Sequence, residues 1–432
     1  RVLTTCLDNL AGKEYIINSK YLIGADGGNS QVAENAKLPF KGQMGVAGSI
    51  NILIEADLTR FVSHRPSVLY WVLQPGADVG GIGMGVVRMV RPWNEWLLIW
   101  GYDINEEAPV ISDDFAIKVA RDLIGDPDQD VKVKSVSTWT VNNMYAEKMR
   151  NGNVFCLGDA THRHPPSNGL GSNTSIQDSF NLAWKIAHVL KGKAEEKLLD
   201  SFEQERAPIA KQIVTRANQS IEEFGPIFQA LGLTDTNDPK KMKENMSKRL
   251  KNDQEGQDTR KKLRDAIAYK NYEFDAHGVD MNHRYYSDAI VNDGQKEPAF
   301  KKDKELHFEQ TSWPGARLPH AWVFDKSGKQ ISTLDLAGQG CFSIFTGLNG
   351  SKWVEAAEKV SSKFNITVSI NVIGPGALIE DYTGDWARIR EINDGGALLV
   401  RPDHHICARF FAEGENAFED LDRVFSKVFG SK

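Results

Sequence analysis

The sequence is short of cysteine and has no long apolar run, and both shortages narrow what it can be. The four cysteines, Cys6, Cys156, Cys341 and Cys407, stand far apart and form no C-x-x-C pair or metal-type cluster. That argues against a disulfide-stapled scaffold, a zinc module or any other metal site. Free thiols packed as small hydrophobes in a reducing, cytoplasmic compartment are expected instead. No run approaches the roughly 20 apolar residues that a spanning helix needs, so no segment is expected to cross a membrane. An excess of one charge is also missing: 52 Lys and Arg against 58 Asp and Glu leave a net charge of −6. This gives no electrostatic reason for nucleic acid or an anionic membrane as a partner. Internal repeats and low-complexity tracts are not evident, and 432 residues exceed what one core supports, so two or three domains are expected.

The most informative stretch is 151–187, NGNVFCLGDATHRHPPSNGLGSNTSIQDSFNLAWKIA. Val154, Phe155, Cys156 and Leu157 read as a buried strand ended by Gly158-Asp159, which puts the carboxylate at the strand's carboxyl edge, where ligands bind in open α/β sheets. Pro165-Pro166, Gly169 and Gly171 then form a loop that brings bare backbone against a flat ligand, and Ser172 or Asn173 caps a following helix. The helix is expected to bury Ile176, Phe180, Ala183, Trp184 and Ala187 and to point its free N–H groups at the loop's ligand. The phrase YLIGADGGNSQV, residues 21–32, repeats the design: a buried strand ending in Asp26-Gly27-Gly28.

These two phrases resemble the DG and GD motifs of the flavin-dependent aromatic hydroxylases, and HRHPPSNGLGSNTS is nearest to the phenol and chlorophenol branch. The resemblance implies that Asp159 bonds a ribitol hydroxyl of FAD, that Pro166 lies by the reacting edge of the flavin and lines the substrate pocket, and that backbone N–H groups around Ser172 and Asn173 face the pyrimidine end. Asp26 and Gly27 would help bind FAD and the nicotinamide cofactor, NADPH or NADH. His162, next to the loop, is a candidate cofactor contact, with His164 ranked below it. The implied reaction is hydroxylation of a phenol ortho to its hydroxyl through a C4a-hydroperoxyflavin, using NADPH and dioxygen.

An α/β fold follows: an incomplete Rossmann-like FAD-binding domain with an inserted β-sheet substrate domain, plus a thioredoxin-like carboxy-terminal domain. The expected units are 1–39, the end of the FAD-binding domain; 40–150, the substrate sheet; 151–225, the return of the FAD-binding domain; 226–312, a helical or extended connection; and 313–432, the carboxy-terminal domain. The last rests on PGARLPHAWVF and GALLVRPDHHICARF, which resemble the thioredoxin-like domain of phenol hydroxylases. Thioredoxin redox chemistry does not carry over, because no two cysteines there are near in sequence. Its expected role is structural, or homodimer-forming.

Strands rich in Val, Ile, Trp and Tyr fill 40–103, and Tyr70, Trp71, Met84 and Arg88 are the candidates there for lining an aromatic pocket. A break or kink is expected at Pro208. No G-x-G-x-x-G phrase precedes Asp26, and the glycines at 80–85 open no helix. The chain therefore reads as a fragment, with the base that activates the phenol expected in the part not present. A hydroxylase of a larger polycyclic aromatic, or a truncated non-catalytic partner, are the alternatives.

Overall fold

The computed structural model describes residues 1–75 and 84–430. The chain opens with the antiparallel hairpin β1 (Val2–Asp8) and β2 (Lys13–Ser19). Its turn is held by Asp8, whose Oδ1 accepts the N–H groups of Leu10 and Ala11. β3 (Leu22–Gly24) leads to the short α1 (Gln31–Asn35), where the Ser30 hydroxyl accepts the Ala33 N–H as a cap. The insertion that follows comprises β4 (Phe40–Glu55), α2 (Thr59–Val62), β5 (Leu69–Leu73), β6 (Met84–Arg91), β7 (Glu95–Tyr102), α3 (Asp113–Ile124) and β8 (Lys132–Ala146). The chain returns through β9 (Arg150–Asn151), β10 (Val154–Cys156) and β11 (His162–Arg163).

Strands of the insertion and β11 form one antiparallel sheet in the order β11-β8-β4-β7-β6-β5. Alternation along each strand divides it into two faces. Ile50, Ile52, Ile54, Val87, Trp96 and Leu98 pack with Ala116, Val119, Ala120 and Leu123 of α3. The other face turns toward the rest of the molecule. Separately, β3 and β10 lie parallel, with Val154 opposite Leu22 and Cys156 opposite Gly24, and β9 flanks β10. A Cβ on Gly24 would stand 2.9 Å from the Cys156 sulfur, so glycine is what lets these strands approach.

Two long helices follow, α4 (Leu170–Leu190) and α5 (Asp200–Glu222). Of the break or kink expected at Pro208, the break is absent: α5 runs through the proline as one helix. Phe202 and Arg206 before the proline, and Ile209, Ile213 and Val214 after it, are all buried, and that packing outweighs the roughly 3 kcal/mol an interior proline costs. The connecting region holds α6 (Gly225–Ala230), α7 (Pro239–Ser247), α8 (Gln254–Ala268), α9 (Asn271–Phe274) and α10 (His277–Met281).

The last unit contains β12 (Trp322–Asp325), β13 (Gln330–Ser332), β14 (Phe342–Thr346), α11 (Ser351–Phe364), β15 (Val368–Val372), β16 (Ile379–Glu380), α12 (Asp385–Ile389), β17 (Ala397–Val400), β18 (Ile406–Phe410) and α13 (Ala417–Phe429). Its central sheet has the order β15-β14-β17-β18, with β14 and β15 parallel and the other pairs antiparallel. One face of this sheet has a core of its own, in which Val323, Phe345, Trp386, Leu398 and Val400 pack together, while the other face is shared with the preceding part of the chain. Phe155 and Trp184 share one apolar cluster with Phe342, Phe425 and Phe429.

Candidate functional site

Because β3 and β10 are parallel neighbours, both motif carboxylates emerge at the same sheet edge. Asp26 follows β3 by two residues and Asp159 follows β10 by three. The Asp26 carboxylate accepts from the Ser30 hydroxyl at 2.5 Å and the Val32 N–H at 3.1 Å. Burial alone would raise its pKa; these hydrogen bonds win and hold it below the usual carboxylate range. Asp159 is exposed, and no donor reaches its carboxylate among the described residues. A free carboxylate at a strand end is a ready acceptor for a ligand hydroxyl.

The loop beyond Asp159 leaves open space for a flat molecule. A Cβ placed on Gly27, Gly28 or Gly169 would meet nothing within 4 Å, and one on Gly171 only the His164 ring. Gly169 caps α4 with a left-handed backbone and no side chain closes that helix end. Ser172 and Asn173 are exposed in its first turn, where N–H groups lack intrahelical acceptors. Pro166 is exposed on the same loop. Asn168, also left-handed at φ 65°, donates to the Tyr272 carbonyl and accepts from the Ser220 hydroxyl. So α5 and the connecting region hold the loop from behind.

His162 sits behind the loop rather than on its face. It is 1% exposed, and its Nε2 lies 3.0 Å from Asp178 Oδ2. His164 is half-buried, with Nδ1 2.7 Å from the Pro165 carbonyl, and burial lowers its pKa. Between them Arg163 points the opposite way, its guanidinium over the Phe40 ring and within reach of the Met44 and Met144 sulfurs. Its Nε donates to the Asp159 carbonyl, which places a cation beside the strand-end carboxylates. Sequence reasoning weighed only its two histidine neighbours; strict alternation through H-R-H was the available signal.

The expected apolar stripe of α4 is corrected by the structure. Ile176 and Phe180 are 66% and 45% exposed, and Ala183 is exposed as well, whereas Trp184 is buried. The buried face instead carries Asp178, Asn181 and Lys185. Lys185 and Asn181 both donate to Glu205 of α5, and Arg401, at the end of β17, meets the same carboxylate in a two-pronged pair at 2.5 and 2.8 Å. Burial pushes the Lys185 pKa down to about 8 against the opposing pull of Glu205. Asp178, Asn181 and Lys185 all find partners outside α4, on α5, so spacing on the helix itself could not reveal them.

Of the sheet candidates, Tyr70 belongs to the face covered by α3: it packs into that cluster, 6.2 Å from the Trp96 ring, and its hydroxyl donates to the Arg65 carbonyl. Strand alternation thus points Tyr70 to the side opposite Trp71. Trp71 and Arg88 lie on the opposite face, Trp71 4.4 Å from the Phe224 ring and Arg88 exposed. The side chain of Met84 lies outside the described residues, as do the glycines at 80–83. Register extends this face as a row: Trp71 opposite Val86, Val86 opposite Ile99, Ile99 opposite Asn51, Asn51 opposite Ser137. Trp139 Nε1 donates to Asn51 Oδ1 at 3.1 Å. Asn51 and Trp139 were missed in the sequence because neither stands in a motif; only the strand register brings them together.

Paired strand-end carboxylates, an uncapped helix end and a glycine-opened loop beneath a mixed polar and aromatic sheet face define a protein that seats a flat nucleotide cofactor against a covered substrate space. Sequence models agree: one for an FAD binding domain matches residues 1–217 and one for the aromatic-ring hydroxylase C-terminal domain matches 311–431. The chain is 54% identical to a 2,4-dichlorophenol 6-monooxygenase of Cupriavidus pinatubonensis, over 98% of this chain and 71% of that protein. It is 47% identical to a phenol 2-monooxygenase of a Pseudomonas species, over 96% and 67% respectively. The crystal structure of the flavin-dependent monooxygenase PieE in complex with FAD and substrate superposes with a TM-score of 0.93 at 38% identity, covering 100% of this chain and 73% of that one. The chain belongs to the FAD-dependent aromatic-ring hydroxylases, and its cofactor is FAD.

Proposed function

We propose that the protein hydroxylates a phenol, chlorinated ones included, at the carbon ortho to the hydroxyl, with NADPH as reductant. In balance, the phenol, dioxygen, NADPH and a proton give an ortho-diphenol, NADP+ and water. Bound FAD supplies hydride acceptance and the activation of dioxygen. The chain's own residues bind, orient and exclude water. Asp159 takes a ribitol hydroxyl, Asp26 and Gly27 flank the same edge, and the N–H groups of the first turn of α4 at Gly171, Ser172 and Asn173 face the electron-rich end of the ring. Pro166 and Gly169 shape the loop along the ring edge. Over it, Trp71, Asn51, Trp139 and Arg88 line the substrate side, where the two indole rings help keep water from the reacting atoms.

The observation that carries this reading is the pair of carboxylates at the ends of adjacent parallel strands, beside an uncapped helix end. The phenolic substrate is supported by the names of the relatives at 54% and 47% identity. The test is an assay of NADPH oxidation with FAD and a panel of phenols, with product analysis. Phenol-dependent oxidation yielding an ortho-diphenol is expected; no stimulation by any phenol would sink the reading.

The same proposal covers the finer points of assembly and place. The last unit acts as a thioredoxin-like scaffold without a dithiol and forms a homodimer, which the exposed Trp322, Leu378 and Tyr382 around β12 and β16 support. A single monomeric species in sedimentation velocity would count against it. A cytoplasmic setting is supported by the cysteines, all four of them free thiols, with burial pushing Cys156 up to about 11 and Cys407 up to about 12. Among the described residues no helix is long and apolar enough to cross a membrane.

A further inference from the structure

Asp178 is the point where three separate segments meet behind the flavin loop. Its Oδ2 accepts the Gly158 N–H at 3.0 Å and the His162 Nε2–H at 3.0 Å, and its Oδ1 accepts the Arg206 Nε–H at 2.6 Å. Arg206 is in turn spent on the Tyr285 hydroxyl at 2.9 Å and, more weakly, on Gln177 and the Thr174 carbonyl. All three groups at the hub are at least nine-tenths buried: Asp178 and His162 are 1% exposed and Arg206 is 0%. Gly158 has φ 63°, and a Cβ on it would stand 2.9 Å from the Ser175 hydroxyl of α4. The peptide that carries Asp159 is therefore fixed on one side by the close approach of α4 and on the other by a carboxylate from that same helix.

We propose that Asp178 is a positioning residue: it holds the Gly158 peptide and the His162 ring so that the Asp159 carboxylate is aimed into the flavin seat. The inference rests on the reading of this loop as that seat. A carboxylate is the group that suits the place, since it offers lone pairs on both oxygens to donors from three directions. An amide of the same shape would turn an NH2 group toward one of those donors. Arg206 is what makes an ionised carboxylate tolerable at such depth, by charge pairing and by three further bonds that satisfy its own N–H groups. His162 then acts through Asp178 and touches no ligand itself, and its Nδ1 is buried without a partner.

The experiment is a fluorescence titration of FAD into the full chain and its variants, with thermal melts of the cofactor-free proteins alongside. Replacing both members of the buried pair, Asp178→Leu with Arg206→Met, removes the hub while leaving no orphaned charge, a change that folds commonly tolerate. The expected result is a cooperative melt near that of the parent with FAD bound at least roughly ten-fold more weakly. Asp178→Asn should weaken FAD comparably. Equal FAD affinity in a folded double variant overturns the proposal. A second pair keeps the question open to refutation if those variants do not fold: His162→Gln preserves a donor to Asp178 and should keep affinity within about two-fold, while His162→Phe should lose several-fold. Identical affinities for Gln and Phe would also overturn it. A parent chain that binds no FAD would instead refute the flavin seat, and this inference with it; a parent that binds while all variants bind equally refutes the inference alone.

Discussion

At the scale of single residues, stability and function separate at the two ends of the Gly158-Asp159 dipeptide. Asp159 is exposed and its carboxylate meets no described donor, so Asp159→Ala should change folding stability by no more than about 0.5 kcal/mol. The same change should weaken FAD at least roughly ten-fold, read by equilibrium titration, since it deletes the acceptor for a ligand hydroxyl. An unchanged FAD affinity would remove Asp159 from the seat. Its neighbour behaves in the opposite sense. Gly158→Ala forces a side chain into a left-handed backbone and against Ser175, at a cost of about 1–3 kcal/mol visible in a urea melt. On the sheet side, Asn51 is half-buried with Trp139 holding its oxygen, which frees the amide N–H groups for a substrate oxygen. Asn51→Ala should raise KM for phenol about five-fold with little effect on kcat or the melting temperature; a fall in kcat alone would contradict a binding role.

At the scale of elements, α4 shows where sequence spacing informs and where it fails. The strand before it, the carboxylate at its edge and the glycine loop were legible because each is a local signal: an apolar run, a turn, a residue type that needs an open backbone. Its buried face was not legible. Ile176, Phe180 and Ala183 satisfy a helical apolar period, yet beside Trp184 this helix buries Asp178 against Arg206 and Lys185 and Asn181 against Glu205, contacts with α5 that no spacing within α4 encodes. This buried charge cluster has a pH signature. Asp178, Glu205 and Asp403 are each held below the ordinary carboxylate range; burial works to raise them, and Arg206 for Asp178 and Arg401 for the other two outweigh it. Folded pKa values below the unfolded ones mean a contribution to stability that is complete above about pH 5 and is lost as pH falls further, because the unfolded chain takes up the protons first. Urea midpoints followed by circular dichroism should ease down below about pH 6.5, where the unfolded chain protonates histidines that burial keeps neutral in the fold, His283 being pushed down to about 3, and fall steeply below about 5 as the carboxylates follow. Arg401→Met leaves Glu205 and Asp403 facing one lysine, so it should cost about 3–5 kcal/mol and move the acid midpoint upward. An unshifted midpoint would mean that the cluster does not govern acid unfolding.

At the scale of the whole molecule, the carboxy-terminal unit reads in sequence as a separate domain. What that reading does not convey is that this unit completes the core of the flavin-binding part. Trp184 and His188 of α4 pack edge-on against Phe342 of β14, at 5.6 and 6.0 Å between ring centres, and Phe429 of α13 stacks on His188 at 5.5 Å. The Glu195 N–H is held by the Phe429 carbonyl. Arg401 brings the only charge from this unit into the buried Glu205 carboxylate, among the described residues. Removing the unit would therefore uncover a large aromatic surface and leave Lys185 as the one cation paired with Glu205 among the described residues, two losses that large-to-small substitutions and broken buried pairs each make expensive. A chain ending at Gln310 should lose its cooperative thermal transition, bind a hydrophobic dye and be cleaved rapidly by trypsin, although every residue of the flavin seat is still present. If that shortened chain instead melted cooperatively within a few degrees of the parent, the shared core would be packing without consequence, and the carboxy-terminal unit would be an appendage rather than the wall against which α4 is built.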